Sequence, residues 1–248
     1  MNKVNPRPVT VMIAAAGSGT RMGGVSKPLM KINGRQAILY SLDLFMASDD
    51  VERVVISARR EDMHLLREIC ARENYMKEII VTEGGSTRQD SVKRAFKAAF
   101  EGRKKTKLVA IHDGARPLIT AEEFSRVVKS ALQYGNAVCA ARAKDTFKTT
   151  DENCVVNGHV ERENLWHIQT PQVFDTDIFH TSLALAEKNG TQATDESGLV
   201  SAAGFVVKLV ECGHDNIKLT YPEDVFIAEA ILLRRKSFAE NSPKGENL

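Results

Sequence analysis

Apolar runs and amphipathic segments alternate along the first 143 residues of the chain. Residues 9–13 have the length and β-branched content of a buried strand, and residues 37–46 have the apolar spacing of a helix. The alternation continues with predicted strands at 53–57, 78–82, 108–112 and 137–143 and predicted helices at 62–72, 88–100 and 120–134. Thr120 and Glu123 have the spacing of a capping box at the start of the last of these helices. This order of elements predicts an α/β fold with a mostly parallel central sheet.

The pattern changes between residues 144 and 163, which are polar and β-prone and show no helical period. This segment predicts a protruding β-hairpin arm. Val155 and Val156 would be exposed on it unless another surface covered them, so we expect the arm (144–163) to form a contact between the subunits of a homodimer. Beyond the arm, the pattern predicts helices at 177–187, 196–203 and 222–235, a strand at 206–211 and a polar tail at 237–248.

A glycine-rich loop follows the first predicted strand. Residues 14–24 are Ala-Ala-Ala-Gly-Ser-Gly-Thr-Arg-Met-Gly-Gly, and Lys27 lies three residues beyond them. Small residues let main-chain N–H groups approach an anion closely, and the cationic Arg21 and Lys27 can hold different oxygens of a polyphosphate. A dinucleotide fingerprint would need glycine where Met22 stands, and a P-loop would need Ser or Thr where Pro28 stands. The loop therefore favours a Rossmann-like nucleotidyltransferase that binds a nucleoside triphosphate.

Composition limits the classes of partner. With 248 residues, 43% of them hydrophobic, the chain can bury one large core, so we expect a single domain over 1–236. The 34 Lys and Arg residues nearly balance the 32 Asp and Glu residues, which argues against nucleic-acid and anionic-membrane surfaces. No apolar signal segment begins the sequence, so we expect a cytoplasmic protein with buried, reduced thiols at its cysteines, which are Cys70, Cys139, Cys154 and Cys212.

Further motifs follow the later predicted strands. They are Glu-Gly-Gly-Ser-Thr-Arg-Gln-Asp-Ser-Val at 83–92, Ile-His-Asp-Gly-Ala-Arg-Pro at 111–117, Asp-Thr-Phe-Lys at 145–148, a segment at 162–174 containing Gln-Thr-Pro-Gln, Thr-Asp-Glu at 194–196 and a segment at 215–224 containing Asn-Ile-Lys. Ligands of open α/β sheets bind outside the carboxyl ends of the strands. We therefore expect the loops at 14–27, 83–89 and 113–117 to converge on one crevice.

Taken in order, these motifs resemble the cytidylyltransferases of the non-mevalonate isoprenoid pathway along nearly the whole chain. The resemblance implies that a phosphate oxygen of 2-C-methyl-D-erythritol 4-phosphate attacks the α-phosphorus of CTP, giving a CDP-linked methylerythritol and pyrophosphate. It also implies Mg²⁺, held mainly by the CTP phosphates, with no metal ligand assigned to the protein. Attack of one anion on another requires charge neutralisation and in-line positioning, which suits a site rich in Arg and Lys.

The resemblance also implies roles for individual residues. Arg21 and Lys27 would stabilise the transition state, and Arg162 and Lys218 would clamp the substrate phosphate. Nucleotide contacts would come from Ala15, Ala16, Gly17 and Gly19 in the loop and from Gly85 and Ser91 at the cytosine. The remaining assignments are Asp113, Arg116 and Thr146 at the sugar-alcohol hydroxyls or the backbone beside them, and Thr170 and Thr194 at the phosphate.

Several alternatives stay open at this point. Thr170 precedes Pro171, so one alternative is that it is fixed by the turn and does not contact substrate. For Asp113, the alternative is that it only orients Arg116. Arg162 lies at the foot of the arm, from which it would reach the site of its own chain or that of a neighbouring subunit. A cytidylyltransferase acting on ribitol 5-phosphate would share several motifs, and a regulatory module without catalysis would keep the nucleotide loop.

Overall fold

The computed structural model describes residues 7–17 and 26–241 of the chain. The strands are β1 (Val9–Ala15), β2 (Lys31–Ile32), β3 (Arg35–Gln36), β4 (Val51–Ala58), β5 (Glu78–Glu83), β6 (Leu108–Asp113), β7 (Asn136–Arg142), β8 (Phe147–Thr150), β9 (Val156–Val160), β10 (Trp166–Asp175) and β11 (Lys208–Glu211). The helices are α1 (Ala37–Ala47), α2 (Met63–Arg72), α3 (Arg88–Phe100), α4 (Ala121–Tyr134), α5 (Thr176–Asn189), α6 (Glu196–Ala202) and α7 (Asp224–Asn241). Short 3₁₀ turns cover Lys27–Leu29 and Arg60–Asp62.

A seven-stranded sheet in the order β11-β7-β10-β6-β1-β4-β5 forms the centre of the fold. β1 pairs in parallel with β4 and β6, β4 pairs in parallel with β5, and β7 pairs in parallel with β11. β10 runs antiparallel to both of its neighbours, β6 and β7. The predicted α/β fold with a mostly parallel sheet is confirmed.

β10 is the central strand that the sequence pattern does not predict. Pro171 lies near its middle, and proline argues against an interior strand because it has no N–H to donate to a neighbour. The structure accommodates the proline at an irregularity, since the pairing with β7 shifts register between Ile168 and Gln172. Pairing with β6 begins at Gln172, so the proline lies outside the paired positions.

Helices cover both faces of the sheet. Successive side chains of β1 point to opposite faces, so Val11 packs with α1, α2 and α4 whereas Met12 packs with α3, α5 and α6. On the first face, the rings of Phe45 and Phe124 meet edge to face with their centroids 5.1 Å apart. Strands buried on both faces explain why the parallel strands are nearly continuous apolar runs.

Two helices that border the carboxyl edge of the sheet have reciprocal N-terminal caps. Thr87 accepts a hydrogen bond from the Asp90 backbone before α3, and the Asp90 side chain accepts one from the Thr87 backbone. Thr120 and Glu123 form the same arrangement before α4, as their spacing predicts. The caps fix the starts of α3 and α4, and with them the loops that lead from β5 and β6.

The arm and the C-terminal helix stand at the periphery. β8 and β9 pair antiparallel as a hairpin inside the arm, where Val155 and Val156 are exposed. The expected tail is partly wrong, because α7 continues to Asn241 and residues 237–241 are therefore helical, while 242–248 lie outside the described residues. The expected burial of all four thiols is also wrong, since Cys154 is exposed in the arm. No helix in the described part of the chain is long and apolar enough to cross a membrane.

Candidate active site

A cavity of about 410 Å³ opens where the loops after β1, β5 and β6 meet, and we call it the loop cavity. Its lining contains eight of the predicted site residues, which are Ala15, Ala16, Gly17, Lys27, Gly85, Ser91, Asp113 and Lys218. Gly19 and Arg21 lie outside the described residues. The predicted convergence of the three loops on one crevice is confirmed.

Close backbone packing shapes the wall of the loop cavity formed by the turn after β5. The Gly84 N–H donates to the Ala58 carbonyl at 2.8 Å, and a Cβ added at Gly84 would lie 2.3 Å from the Cβ of Ala16. A Cβ at Gly85 would lie 2.2 Å from the Cβ of Asp90, so no side chain fits there without a shift of the turn. Gly85 therefore brings main chain, and no side chain, to this wall, while Gly84 allows the close approach of the turn to Ala16.

Ser91 fixes the same turn from within. Its hydroxyl accepts a hydrogen bond from the Gly85 N–H at 3.0 Å and donates to the Thr87 carbonyl at 2.8 Å. The side chain is buried although it lines the cavity. The hydroxyl proton of Ser91 is therefore used in a hydrogen bond within the protein. A ligand in the loop cavity contacts Ser91 as part of a preorganised turn.

A second cavity of about 290 Å³ adjoins the loop cavity, and we call it the adjoining cavity. It shares Arg88, Asp113 and Lys218 with the loop cavity. Its other lining residues are Arg116, Ile168, Gln169, Thr170, Gln172, Thr194 and Asp195. The structure therefore brings Arg116, Thr170 and Thr194 together beside the shared residues, as the sequence motifs predict.

Asp113 is the carboxylate between the two cavities. Lys218 Nζ lies 2.8 Å from its Oδ2, and Arg88 donates from Nη2 to its Oδ1 at 3.0 Å. Arg116 Nε lies 3.6 Å from Oδ2, beyond hydrogen-bond distance. Burial alone would raise the pKa of Asp113, but the three cationic neighbours hold it well below its usual range. Asp113 is therefore ionised and orients the cations that face both cavities.

Arg116 is anchored by the segment that contains Asn-Ile-Lys. Its Nη1 donates to the Asn216 carbonyl at 2.7 Å, which joins the motif at 111–117 to the Asn-Ile-Lys segment. Its buried Nε has no hydrogen-bond partner among the described residues. This Nε is paired with the Asp113 carboxylate at 3.6 Å, and the bond to Asn216 fixes the direction of the guanidinium.

Thr170 and His112 form a buried pair beneath the adjoining cavity. The Thr170 hydroxyl accepts from the Asp113 N–H at 3.0 Å and lies 3.0 Å from His112 Nδ1. His112 Nε2 lies 2.9 Å from the Arg116 carbonyl, so Nε2 carries the imidazole proton and Nδ1 accepts the proton of Thr170. Burial lowers the pKa of His112 to about 4, in agreement with a neutral ring. The Thr170 hydroxyl is committed to Asp113 and His112, which supports the alternative that it is a structural residue.

Arg88 and Glu196 are site residues to which the sequence motifs assign no role. Arg88 Nη1 donates to both carboxylate oxygens of Glu196 at 2.6 Å, while its Nε and Nη2 donate to Asp113. Burial raises the pKa of Glu196 even though Arg88 opposes the change. One feature of the sequence could have indicated this role. Arg88 is the first residue of a helix, where the helix dipole opposes a cation, so it requires nearby anions.

Thr146 and Arg162 lie apart from both cavities. Both are exposed in the arm, and neither is among the residues that line the loop cavity or the adjoining cavity. Arg162 Nη1 donates to the Lys144 carbonyl at 2.7 Å, which ties the two ends of the arm together. Within one chain, the structure does not bring these two predicted residues to the remaining ones.

Comparisons with known proteins agree with this geometry. Residues 9–234 match the family model described as 2-C-methyl-D-erythritol 4-phosphate cytidylyltransferase. The enzyme of that name from Pelodictyon phaeoclathratiforme is 38% identical, with 90% of this chain and 96% of the relative covered, and the one from Desulforamulus reducens is 37% identical, with 94% and 99% covered.

Solved structures are similar as well. The 4-diphosphocytidyl-2C-methyl-D-erythritol synthase of Anaerococcus prevotii superposes with a TM-score of 0.80 at 28% identity, covering 93% of this chain and 100% of that one. The Thermus thermophilus 2-C-methyl-D-erythritol 4-phosphate cytidylyltransferase gives a TM-score of 0.72 at 31% identity, covering 90% and 97%. On the sequence match, the shared fold and the cavities at its carboxyl edge, this chain belongs to the 2-C-methyl-D-erythritol 4-phosphate cytidylyltransferase family.

Proposed function

We propose that this enzyme transfers CMP from CTP to 2-C-methyl-D-erythritol 4-phosphate and releases pyrophosphate, in the synthesis of isoprenoid precursors. The observation that carries this assignment is the pair of adjoining cavities that share Asp113 and Lys218. CTP occupies the loop cavity, and the polyol phosphate occupies the adjoining cavity. Two ligand sites with a common cationic boundary are what a transfer between two phosphorylated substrates requires.

Lys27 and Lys218 supply positive charge on the two sides of the reacting phosphorus. Lys27 lines the loop cavity at the start of a 3₁₀ turn, where it faces the triphosphate, and Arg21 joins it by resemblance to the family. Lys218 is held by Asp113 at the shared boundary, where it receives the phosphate of the second substrate. The attacking phosphate oxygen is already an anion, so the residues need only neutralise and align the two substrates.

The turn after β5 gives the nucleotide site its preference for cytosine. Gly85 lines the loop cavity there without a side chain, and Ser91 fixes the turn by accepting a hydrogen bond from the Gly85 N–H. A fixed turn with no side chain at this position suits a small pyrimidine, and a purine would need more room. Discrimination by buried polar groups can be large, because the wrong base leaves them without partners.

Magnesium enters as part of the nucleotide substrate in this proposal. The Asp113 carboxylate, which lines both cavities, is engaged by Arg88 and Lys218, and the buried Glu196 carboxylate is engaged by Arg88, so the oxygens of both face cations. This donor set fits an ion carried on the CTP phosphates, where Mg²⁺ usually keeps phosphate and water ligands. When bound, the ion neutralises phosphate charge and the charge of the leaving pyrophosphate.

The arm completes the acceptor site of a neighbouring subunit in a homodimer. Arg162 and Thr146 are exposed and line neither the loop cavity nor the adjoining cavity, and Val155 and Val156 are exposed at the far end of the hairpin. An apolar surface with a guanidinium and a hydroxyl at its base is suited to a partner that offers a phosphate site. Arg162 would bind the polyol phosphate through two parallel hydrogen bonds.

Release of pyrophosphate tests the assignment. The purified enzyme is incubated with Mg²⁺, one nucleoside triphosphate and either 2-C-methyl-D-erythritol 4-phosphate or ribitol 5-phosphate. We expect turnover with CTP and the methylerythritol phosphate. Comparable rates with ATP would remove the cytosine assignment, and faster turnover with ribitol 5-phosphate would identify a different polyol-phosphate cytidylyltransferase. Binding of CTP without turnover on any acceptor would favour a regulatory nucleotide-binding module.

A further inference from the structure

Arg88 stands at an electrostatically unfavourable place. It is the first residue of α3, where the helix dipole is positive, and its side chain is only 29% exposed. A half-buried cation in such a position requires compensation by nearby anions. Two carboxylates from distant parts of the chain, Asp113 and Glu196, provide it.

The hydrogen bonds of Arg88 leave little capacity for a substrate. Of the five N–H groups of a guanidinium, Nε and one on Nη2 donate to Asp113, and the two on Nη1 donate to Glu196. Arg88 lines both cavities, yet its charge is shared between two carboxylates. Arg88 is therefore placed to hold other residues and not to grip a phosphate.

Glu196 is the anchor of this arrangement. It is 4% exposed and stands as the first residue of α6, where a carboxylate is favoured by the helix dipole. Asp195, the residue before it, caps the same helix by accepting from the Gly198 N–H at 3.0 Å. Arg88 thus connects the start of α3 to the start of α6 across the end of β6.

Asp113 carries the effect of Arg88 to the substrate side. Its Oδ1 is held by Arg88, and its Oδ2 lies 2.8 Å from Lys218 Nζ. The Lys218 side chain is 40% exposed, and Asp113 is the carboxylate that pairs with it. A rotation of the Asp113 carboxylate would therefore displace the ammonium group at the boundary of the two cavities.

The base-binding turn does not depend on Arg88. The capping box of Thr87 and Asp90 and the hydrogen bonds of Ser91 to Gly85 and Thr87 fix that turn from within. Loss of Arg88 should thus disturb the polyol-phosphate side more than the nucleotide side.

We propose that Arg88 is a positioning residue, which is anchored on Glu196 and orients Asp113 so that Lys218 and Arg116 meet the polyol phosphate. This inference rests on the proposed function and names a residue pair, Arg88 and Glu196, that supports its acceptor site. Misplacement of a positioned group by about 1 Å can cost about 100-fold in rate, so the effect is measurable.

Steady-state kinetics of three variants test the proposal. Arg88→Lys keeps the charge but loses the planar guanidinium, whose donors bind Asp113 and Glu196 through paired hydrogen bonds. The double variant Arg88→Gln with Glu196→Gln removes the cation and its anchor together, so no buried carboxylate of the pair is left without its counter-ion. Lys93→Met is the matched control, because Lys93 also links α3 to another helix through Glu187, at 2.6 Å on the exposed surface.

We expect the KM for 2-C-methyl-D-erythritol 4-phosphate to rise about tenfold or more in Arg88→Lys and in the double variant. The Kd for CTP, measured by calorimetry, should change by less than about threefold, since the base turn is held independently. The control should match the wild type in both measurements.

A purely structural role makes a different forecast. In that case the double variant, if its thermal unfolding midpoint matches that of the wild type, would also recover the wild-type KM, and this result would overturn the proposal. An equal loss of CTP affinity and polyol-phosphate KM would overturn it as well. Wild-type turnover of CTP and the methylerythritol phosphate distinguishes failure of the proposed function from failure of the proposed role of Arg88. No turnover by the wild type refutes the proposed function. Turnover by the wild type, with no difference between the effects on polyol-phosphate KM and CTP Kd in the variants, refutes only the role of Arg88.

Discussion

Asp113 shows how far a local pattern determines the chemistry of a site. Its three-residue spacing from Arg116 predicts a local ion pair, and the two groups do lie 3.6 Å apart. Its shorter contacts come from Arg88 and Lys218, which are distant in the sequence. Those contacts depend on how three loops meet, so the motifs identify the participants but not their connections.

Lys27 lines the loop cavity, and in the proposed function it stabilises the transition state. Lys27→Ala should lower kcat by roughly 100-fold to 1,000-fold, by analogy with loss of one preorganised donor, because charge builds up on the phosphate oxygens during transfer. The KM for the polyol phosphate should change less. Pyrophosphate release under saturating substrates measures the effect.

Lys31→Ala is the matched control for this variant, since Lys31 is exposed in β2 just beyond the same loop. It should keep the wild-type kcat. A folded Lys27→Ala enzyme with nearly normal kcat would show that the loop is not catalytic.

His112 should make the protein less stable in mild acid. Its pKa is lowered from 6.5 to about 4 by burial. Between these two pH values, His112 is therefore protonated in the unfolded chain and neutral in the folded chain. The free energy of unfolding should then fall, as pH decreases through this window, by up to about 1.4 kcal/mol per pH unit. Glu196, whose pKa is raised in the folded state, acts in the opposite direction, so the histidine contribution must be isolated by substitution.

Urea unfolding at about pH 7 and about pH 5 measures this slope. His112→Gln should lose most of the difference between the two conditions, whereas His64→Gln, at an exposed position in α2, should keep it. An unchanged slope in His112→Gln would mean that another group controls the acid sensitivity.

At the scale of elements, local signals determine the helices better than the strands. α3 occupies 88–100 as predicted, because Thr87 and Asp90 cap it and its apolar face is regular. β10 escapes prediction since Pro171 breaks its pattern and its partners are set by the tertiary fold. α7 extends beyond the predicted end because polar residues can continue a helix that is already anchored by its apolar side.

The capping box before α4 connects two elements and should contribute measurably to stability. Glu123 accepts from the Thr120 N–H at 3.1 Å with one oxygen and from the Gly213 N–H at 2.7 Å with the other, so the cap also holds the residues after β11. Thr120→Ala should cost about 1 kcal/mol of unfolding free energy, because a helix N–H loses its acceptor.

Chemical denaturation checks this value against Thr181→Ala. Thr181 lies on the exposed side of α5 and donates to the Asp177 carbonyl at 2.9 Å, so its loss should cost no more than about 0.5 kcal/mol. Equal effects of the two substitutions would show that the cap adds nothing specific.

At the scale of the whole molecule, the predicted site divides into two groups of residues. The carboxyl edge of the sheet gathers the nucleotide loop and the cations around Asp113, while the arm carries Arg162 and Thr146 away from them. The motif series predicts both groups because it records which residues contribute to a site. It does not record which copy of the chain contributes them, since a sequence motif is identical in both subunits of a homodimer.

The proposed homodimer, in which each site uses residues of both subunits, predicts that two impaired variants can restore activity when they are mixed. Arg162→Ala should mainly raise the KM for the polyol phosphate, because a guanidinium holds a phosphate through two parallel hydrogen bonds that lysine cannot reproduce. Lys27→Ala should mainly lower kcat. Mixed dimers are prepared by unfolding and refolding the two variants together, with subunit exchange confirmed by a mass tag on one of them.

If Arg162 acts on the neighbouring subunit, a mixed dimer contains one site with both lesions and one site with neither. Its activity should then recover to about half of the wild-type value per dimer, because sites in separate cavities contribute additively. If Arg162 acts within its own chain, each site carries one lesion, and activity stays low when the polyol phosphate is held well below the KM of the Arg162→Ala enzyme. Low activity in confirmed mixed dimers would rule out the shared site while leaving the cytidylyltransferase assignment in place, since the loop cavity and its contacts lie within one chain.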